Sequence, residues 1–323
     1  MTRRKPAVTM PQMPENRTKD RIKTYVLAGQ PVEAPRLPPG LHLVATPIGN
    51  LRDITLRALE TLAAADVIAC EDSRVTRKLL DHYGIATPLT PYHEHNAAAA
   101  RPKLLARLTA GETIALVSDA GTPLISDPGF KLVRAACEAG LPVSAAPGAS
   151  AALAALAVAG LPTDRFFFEG FLTPKDGQRR TRIAELANIP ATLILYESGP
   201  RVGRTLAALA EGLGTRQAAV CRELTKLHEE VRRGDLAALA QAYDSGAKNL
   251  AEIRGEFTVV IAPPAADAGQ PDAGEVDALL RRALQHASVK DAVSDVAAAT
   301  GRPRREIYQR ALALSEDGDG AAE

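Results

Sequence analysis

Short apolar runs alternate with stretches of helical hydrophobic spacing along most of this chain. Runs such as LHLV at 41–44 and TIAL at 113–116 have the length of strands, and amphipathic segments separate them. This alternation predicts a doubly wound α/β domain with a parallel sheet over residues 41–160. It restarts after a turn-rich segment and ends at EFTVVIAP, which predicts a second α/β domain with a parallel or mixed sheet over 165–263.

The segments outside these domains differ in composition. Residues 1–40 contain eight Lys or Arg, three Asp or Glu and seven prolines. Few large apolar residues accompany them, so we predict a disordered basic tail, either simply solvated or in contact with RNA phosphates. A linker rich in Pro, Gly and Ala is predicted over 264–275, three short helices over 276–314 and an acidic frayed end over 315–323.

The last two of those helices are separated by a predicted tight turn. Gly301 suits the end of one helix and Pro303 the first turn of the next. Arg304 and Arg305 then open the third helix, as in the recognition helix of a helix-turn-helix module. A bundle that merely packs on the body would show the same pattern, so both interpretations stay open.

Composition excludes several functional classes. The formal net charge of +1 gives no global electrostatic footprint for nucleic acid. Three widely spaced cysteines without a C-x-x-C pair argue against a disulfide framework and a zinc site, and favour a reducing cytoplasm. No apolar run approaches the roughly 20 residues of a membrane helix. The start MTRRKPAV lacks the apolar segment of a secretory signal.

Four predicted strands end in loops of small and turn-forming residues. These are TPIGN at 46–50, EDSR at 71–74, SDAGTPLISDPG at 118–129 and PGAS at 147–150. Each alone is compatible with an ordinary turn, but in a parallel sheet all four arrive at the carboxyl edge, where ligands bind. No phosphate-binding glycine motif is present. We therefore predict a ligand without phosphates, such as an adenosine with an amino-acid tail.

These loops belong to motifs that resemble the tetrapyrrole methylase superfamily, and within it the bacterial 16S rRNA cytidine 2'-O-methyltransferases. The resembling blocks span about residues 41–262 and include CEDSRVTRKLL, YHEHN, FEGFLTPK and YES. TPIGN and PGASA indicate only the superfamily, whereas SDAGTPLISDPG together with RELTKLHEE is specific to the rRNA branch. One departure is that the family's Ser-Pro-His-Arg run reads Ser-Gly-Pro-Arg at 198–201, so only Arg201 is carried over.

The resemblance implies two α/β domains, S-adenosylmethionine in the cleft between them, a homodimer and 16S rRNA in the small ribosomal subunit as substrate. By motif, the implied cofactor contacts are Pro47, Asp119, Gly121, Thr122, Ile125, Ser150, Ala151, Leu172, Glu197, Gly255 and Thr258. Asp119 is alternatively a turn or helix-cap carboxylate.

The implied reaction is an in-line attack of a ribose hydroxyl on a sulfonium methyl group, helped by alignment and a general base. Asp72 and Glu71 are the candidate bases at the sheet edge, with Glu94, His93 and His95 as further candidates. A salt bridge to Arg74 or Arg77 is the alternative role of Asp72.

RNA contacts are predicted at several polar positions. Tyr92 is predicted to stack on a splayed base, with ordinary packing as the alternative. His93 and His95 form too weak a motif for a metal, and RNA contact or loop anchoring is predicted instead. Arg201, Lys226, Arg304 and Arg305 are predicted to track phosphates or to be solvated.

Two other functions compete with rRNA methylation. One is a tetrapyrrole methyltransferase of the same fold, which would not need the RELTKLHEE block, the basic clusters or the helical module. The other is a non-catalytic nucleic-acid-binding protein that uses its C-terminal helices. The neutral net charge and the elaborate loops argue against this second alternative.

Overall fold

The computed structural model describes residues 22–245, 254–265, 273–300 and 302–319. It divides the chain into two units, Met1–Ala149 and Ser150–Glu323. The boundary precedes a helix that packs on four strands of the second unit. The prediction that the first domain extends to residue 160 is therefore wrong for this helix, because its apolar surface is buried in the second unit.

The first unit is built on a five-stranded parallel sheet with the strand order β5-β4-β6-β3-β7. Its elements in chain order are β1 (Thr24–Leu27), β2 (Gln30–Glu33), β3 (Gly40–Val44), a 3-10 helix (Leu51–Asp53), α1 (Leu56–Ala64), β4 (Val67–Cys70), α2 (Ser73–His82), β5 (Leu89–Pro91), α3 (Ala97–Thr109), β6 (Thr113–Leu116), α4 (Phe130–Glu138) and β7 (Val143–Ala146).

The helices of this unit cover both faces of the sheet. Apolar residues of α1 and α2 share one buried cluster with Ala115, whereas those of α3 and α4 share another with Ile114. The helix that follows β6 therefore lies on one face of the sheet, whereas the helices that follow its neighbours β3 and β4 lie on the other face. Such switch points open a crevice at the carboxyl ends of the strands, where ligands of doubly wound proteins bind.

A β-hairpin precedes this sheet. Strands β1 and β2 pair across a turn at Ala28 and Gly29, whose φ angles are 50° and 79°. Tyr25 is buried in the cluster beneath α1 and α2, and the Val26 amide donates to the Tyr83 carbonyl at 2.7 Å. The predicted disordered tail is therefore wrong from residue 22 onward, because this hairpin has its own core contact. Residues 1–21 of that prediction lie outside the described residues.

The second unit contains a mixed sheet with the strand order β11-β10-β12-β9-β8, in which only β8 and β9 are parallel. Its elements are α5 (Ala151–Ala159), β8 (Phe166–Phe171), α6 (Asp176–Leu186), β9 (Thr192–Ser198), α7 (Gly199–Leu213), β10 (Gln217–Arg222), β11 (Glu230–Asp235), α8 (Leu236–Ser245), β12 (Glu256–Ile261), α9 (Ala273–Leu284), α10 (Val289–Thr300) and α11 (Arg304–Asp319).

The three C-terminal helices form a separate small core. Val276 and Leu280 of α9 pack against Val293 of α10 and Ile307 of α11. Helix α11 continues to Asp319. The prediction of a frayed end over 315–323 is therefore wrong for residues 315–319. Leu314, the last residue of the predicted third helix, packs on the same core. Gly301, residues 266–272 of the predicted linker and residues 320–323 lie outside the described residues. No described helix is long and apolar enough to cross a bilayer.

Candidate active site

The loops after β3 and β6 are joined at the carboxyl edge of the first sheet. The backbone amides of Thr46 and Gly121 each donate to the other residue's carbonyl, at 2.9 and 3.0 Å. Gly121 has a φ of +79°, and a Cβ there would lie 3.3 Å from Ile48 Cγ2. A glycine is therefore needed where the two loops cross. Pro47 lies between Thr46 and Ile48 in the first of these loops.

Two further loops reach the same edge. The Asp72 amide donates to Asp119 Oδ1 at 2.9 Å, which joins the β4 loop to the β6 loop. The Thr122 hydroxyl donates to the Ala149 carbonyl at 3.1 Å, which adds the loop after β7. All four loops predicted to meet are thus connected, and Asp119 accepts the hydrogen bond that joins two of them.

The loop at 121–129 has an unusual backbone. Gly121, Leu124, Ser126 and Gly129 all have φ between 63° and 135°. Left-handed conformations are costly for residues with a side chain, and they concentrate where a loop is shaped for a ligand. Ile125, between the two strained residues, is 40% exposed. The predicted ligand positions Thr122 and Ile125 therefore lie on a preformed, accessible loop.

Asp72 has the structural role that was its alternative. It caps α2 by accepting from the Arg74 amide at 2.8 Å, and its Oδ2 lies 2.6 Å from Arg74 Nη2. These hydrogen bonds lower the pKa of Asp72 to about 2. A carboxylate with so low a pKa is a weak proton acceptor near neutral pH. The structure therefore argues against Asp72 as the general base.

Two other carboxyl groups of these loops, those of Glu71 and Asp127, have raised rather than lowered pKa values. Burial raises the pKa of Glu71, and the charge of Asp119 raises it further. Burial also raises the pKa of Asp127 to about 6, against the opposing effect of a hydrogen bond with Ser118. Asp127 was missed as a site residue. The sequence signal was a second Asp in the loop SDAGTPLISDPG, but its burial depends on the tertiary structure.

The YHEHN segment is held in place by the buried Tyr92 and by hydrogen bonds of the Asn96 side chain. Tyr92 is only 1% exposed and packs with α3 and α4, so the predicted base stacking is wrong and ordinary packing is observed. The His93 amide donates to Asn96 Oδ1 at 2.9 Å, and the Asn96 side chain donates to the Pro91 carbonyl at 3.0 Å. The rings of His93 and His95 lie 6.1 Å apart. Within the described ranges no cluster of three or more His, Cys, Asp or Glu suits a metal ion.

In the second unit, Glu197 and Arg201 stabilise the interior. Glu197 is buried and accepts from the Ser198 amide at 2.8 Å and the Thr205 hydroxyl at 2.7 Å. Arg201 Nε lies 3.2 Å from the Glu197 carboxylate, and Arg201 Nη2 donates to the Leu172 carbonyl at 2.6 Å. The prediction that Arg201 tracks RNA phosphates is wrong, because its guanidinium is engaged inside the unit.

In the RELTKLHEE loop, Lys226 forms ion pairs within the second unit. Its ammonium contacts Glu223 at 3.0 Å and Glu256 at 2.7 Å, so two carboxylates neutralise the cation that was predicted to contact phosphates. Glu223 and Thr225 have φ of 50° and 67°, which marks a strained turn. Gly255 has a φ of +114°, and a Cβ there would lie 2.9 Å from Glu223 Cγ.

Other predicted cofactor positions lie near one end of β9 and β12 in this unit. The Ala152 amide, one residue after Ala151, donates to the Tyr196 hydroxyl at 3.2 Å. Thr258 is buried and pairs with Tyr196 across β12 and β9. Ser150 precedes α5 without a capping hydrogen bond from its side chain. Ser150, Ala151 and Thr258 therefore lie on elements that Tyr196 connects.

Helix α11 presents a basic and aromatic face. Arg304 and Arg305 are exposed in its first turn, and Tyr308 and Leu312 are 47% and 42% exposed. Residues four apart lie on one side of a helix, so Arg304, Tyr308 and Leu312 form a stripe with Arg305 beside it. Arg310 instead binds the Asp277 carboxylate of α9.

The fold and the loops define a protein of the tetrapyrrole methylase class. The model of the family Tetrapyrrole (Corrin/Porphyrin) Methylases matches residues 40–240, and that of the RsmI C-terminal HTH domain matches residues 270–315. A conserved hypothetical protein from Aeropyrum pernix K1 aligns with a TM-score of 0.55 at 19% identity over 87% of this chain and 98% of its own. Diphthine synthase aligns with a TM-score of 0.53 at 17% identity, over 69% of this chain and 89% of its own.

Similarity to proteins named ribosomal RNA small subunit methyltransferase I is much higher. The protein of that name from Mesorhizobium japonicum is 50% identical over 90% of this chain and 98% of its own length. The protein of the same name from Erythrobacter litoralis is 50% identical over 86% of this chain and 96% of its own length. The chain belongs to the ribosomal RNA small subunit methyltransferase I family of tetrapyrrole-methylase enzymes.

Proposed function

We propose that this protein transfers a methyl group from S-adenosylmethionine to the ribose 2'-oxygen of a cytidine in 16S rRNA of the small ribosomal subunit, as a cytoplasmic homodimer. The observation that carries the proposal is the 50% identity to a small-subunit rRNA methyltransferase over 98% of that relative. The supporting observation is the linked loop set of the first unit, where Asp119 and Gly121 hold three loops together.

The residues present fit the methyl donor. An adenosine with an amino-acid tail has no phosphate, and the loops offer backbone groups and small side chains in place of a phosphate cradle. Loop 121–129 is preshaped by its left-handed residues and exposes Ile125. We assign Pro47, Asp119, Gly121, Thr122 and Ile125 of the first unit to the cofactor. From the second unit we assign Ser150, Ala151, Leu172, Gly255 and Thr258, with Glu197 and Arg201 as supports that fix Leu172.

The protein's chemical task is to align the attacking oxygen and to receive its proton. Bound S-adenosylmethionine supplies an electrophilic methyl group on a sulfonium centre. The rigid loop edge restricts the approach of the ribose, which is catalysis by proximity. Of the carboxyl groups at this edge, Asp72 is ion-paired and Asp119 accepts from the Asp72 amide. The other two carboxyl groups of these loops, Glu71 and Asp127, have raised pKa values and are the proton acceptors that we favour, with Glu94, His93 and His95 as further candidates.

The C-terminal module supplies the nucleic-acid contact in this proposal. Exposed Arg304 and Arg305 suit phosphates, and exposed Tyr308 suits stacking on an unpaired base. His95 is exposed in the first unit, and His93 is partly exposed beside it, so we retain both as candidate RNA contacts. The double variant Arg304→Ala/Arg305→Ala should weaken subunit binding and reduce its salt dependence, with cofactor affinity unchanged.

The test is methyl transfer from labelled S-adenosylmethionine to small subunits that lack the modification, followed by nuclease mapping of the label. We expect label on the 2'-oxygen of one cytidine. Asp119→Asn should abolish transfer and weaken cofactor binding, measured by calorimetry. Asp81→Asn, which changes an exposed carboxylate on α2, is the matched control and should behave like the wild type.

Transfer to neither subunits nor naked rRNA, with cofactor binding intact, would refute the rRNA assignment. Label on a base would refute the 2'-oxygen assignment alone. Light scattering coupled to gel filtration tests the homodimer, and a mass of one chain, 34.1 kDa, would exclude it.

A further inference from the structure

A cavity of about 190 Å³ lies beside the candidate cofactor loop in the first unit. Its walls come from the YHEHN segment, the first turns of α3 and the junction between loop 121–129 and α4. Drug-sized ligands occupy pockets of about 300 to 1,000 Å³, so this volume suits a smaller group, of the size of a nucleoside. Nothing in the cofactor assignment above uses this cavity.

The cavity combines an exposed ring with two cations. Phe130 lines it and is 63% exposed, an unusual position for a phenylalanine at the start of a helix. Aromatic rings in this position stack on unpaired bases of single-stranded RNA. Arg101 of α3 and Lys131 of α4 line the same cavity and suit the phosphates on either side of a nucleotide.

Asp127 places an acceptor at the same wall. It lines the cavity and belongs to the loop that contains Asp119, Gly121, Thr122 and Ile125. A ribose bound here would therefore lie next to the loop assigned to the methyl donor. The raised pKa of Asp127, about 6, leaves it ionised at neutral pH yet basic enough to accept a proton.

We infer that this cavity binds the target nucleotide, with Phe130 stacked on the base, Arg101 and Lys131 on flanking phosphates, and Asp127 as the catalytic residue that deprotonates the 2'-hydroxyl. The inference rests on the proposed function. The 2'-oxygen forms a bond to the methyl carbon, the carbon–sulfur bond breaks and its electron pair stays on sulfur. The hydroxyl proton passes to Asp127, and S-adenosylhomocysteine leaves as a neutral thioether.

The pH dependence follows from the groups that face Asp127. Glu71, Asp119 and Ser118 on the loops act on its pKa, and Glu94 on the YHEHN segment, Arg101 on α3 and Lys131 on α4 line the same cavity. Since only the ionised carboxylate accepts a proton, kcat should rise with pH through about 6 and then level off. In Asp127→Asn, kcat should fall about 10²- to 10⁴-fold and this rise should disappear.

Steady-state methylation of unmodified small subunits tests the inference. Phe130→Ala and Lys131→Ala should each raise KM for subunits about 10-fold with the cofactor Kd unchanged, and Phe130→Tyr should restore the wild-type KM. Lys103→Ala is the matched control, because Lys103 is exposed on α3 and does not line the cavity. Melting temperatures and cofactor affinity verify that each variant is folded.

Two results would overturn the inference in distinguishable ways. If the wild type methylates subunits while Phe130→Ala and Lys131→Ala match Lys103→Ala, the cavity is not the nucleotide site and the proposed function stands. If the wild type transfers no methyl group to subunits, both fail. A kcat in Asp127→Asn equal to that of the wild type would remove Asp127 from the reaction.

Discussion

Asp127→Asn should stabilise this protein near neutral pH while it impairs catalysis. The perturbation removes a carboxylate whose pKa is raised from 3.8 to about 6 by burial and by the charges of Glu71 and Asp119. Each pKa unit corresponds to about 1.4 kcal/mol, so ionising Asp127 in the folded protein costs about 3 kcal/mol at most. Because Asp127 is only half-buried, solvent screens part of this cost, and we expect a gain of about 1 to 2 kcal/mol.

The sign of the effect depends on pH. Below about pH 4 Asp127 is protonated in both the folded and the unfolded chain, and no ionisation cost exists to be removed. From pH 4 to about 6 the unfolded chain loses this proton first, so wild-type stability falls relative to that of Asp127→Asn. Thermal unfolding of both proteins at pH 4 and 7.5 measures this difference. An equal difference at the two pH values, or a variant destabilised at pH 7.5, would refute the reasoning.

Three further substitutions test the remaining assignments. Gly121→Ala should lower stability by about 1 kcal/mol and weaken cofactor binding, whereas Gly140→Ala, with a similar φ but no neighbouring atom within 4 Å, should lower only stability. A normal cofactor Kd in Gly121→Ala would contradict the loop assignment. Glu197→Ala should cost about 3 kcal/mol in denaturant unfolding because it leaves Arg201 without its buried partner, and a loss below about 1 kcal/mol would argue against that pair. Asp72→Asn should keep kcat within a few-fold, since Asn still caps a helix; a fall of 10² or more would restore Asp72 as the base.

The sequence predicted the architecture well where local pattern is sufficient. Strands with apolar runs and amphipathic connections produced the doubly wound first domain, the second α/β domain and the three C-terminal helices. It failed at the hairpin of β1 and β2, where a single buried residue, Tyr25, supplies the core contact. It also assigned α5 to the wrong unit, since an apolar helix does not show which sheet will cover it.

The motif loops were predictable because their chemistry is local. Gly121 and the residues around it show the small side chains and turn formers of a ligand loop, and the structure joins that loop to the loops after β3, β4 and β7. The roles of individual charged residues were less predictable. Lys226 and Arg201 look like exposed cations in the sequence, but each has a carboxylate partner nearby in the fold.

The sequence by itself determined the fold class, the family and the loops that meet at the candidate site, because periodicity and motif spacing are properties of neighbouring residues. Tertiary structure decided which carboxyl groups have a lowered or a raised pKa and which aromatic ring is exposed. Asp72 is held by Arg74, whereas Asp127 is left half-buried near Glu71 and Asp119. Tyr92 is buried and Phe130 is exposed. Burial and charge depend on residues far apart in the chain, which local spacing does not encode.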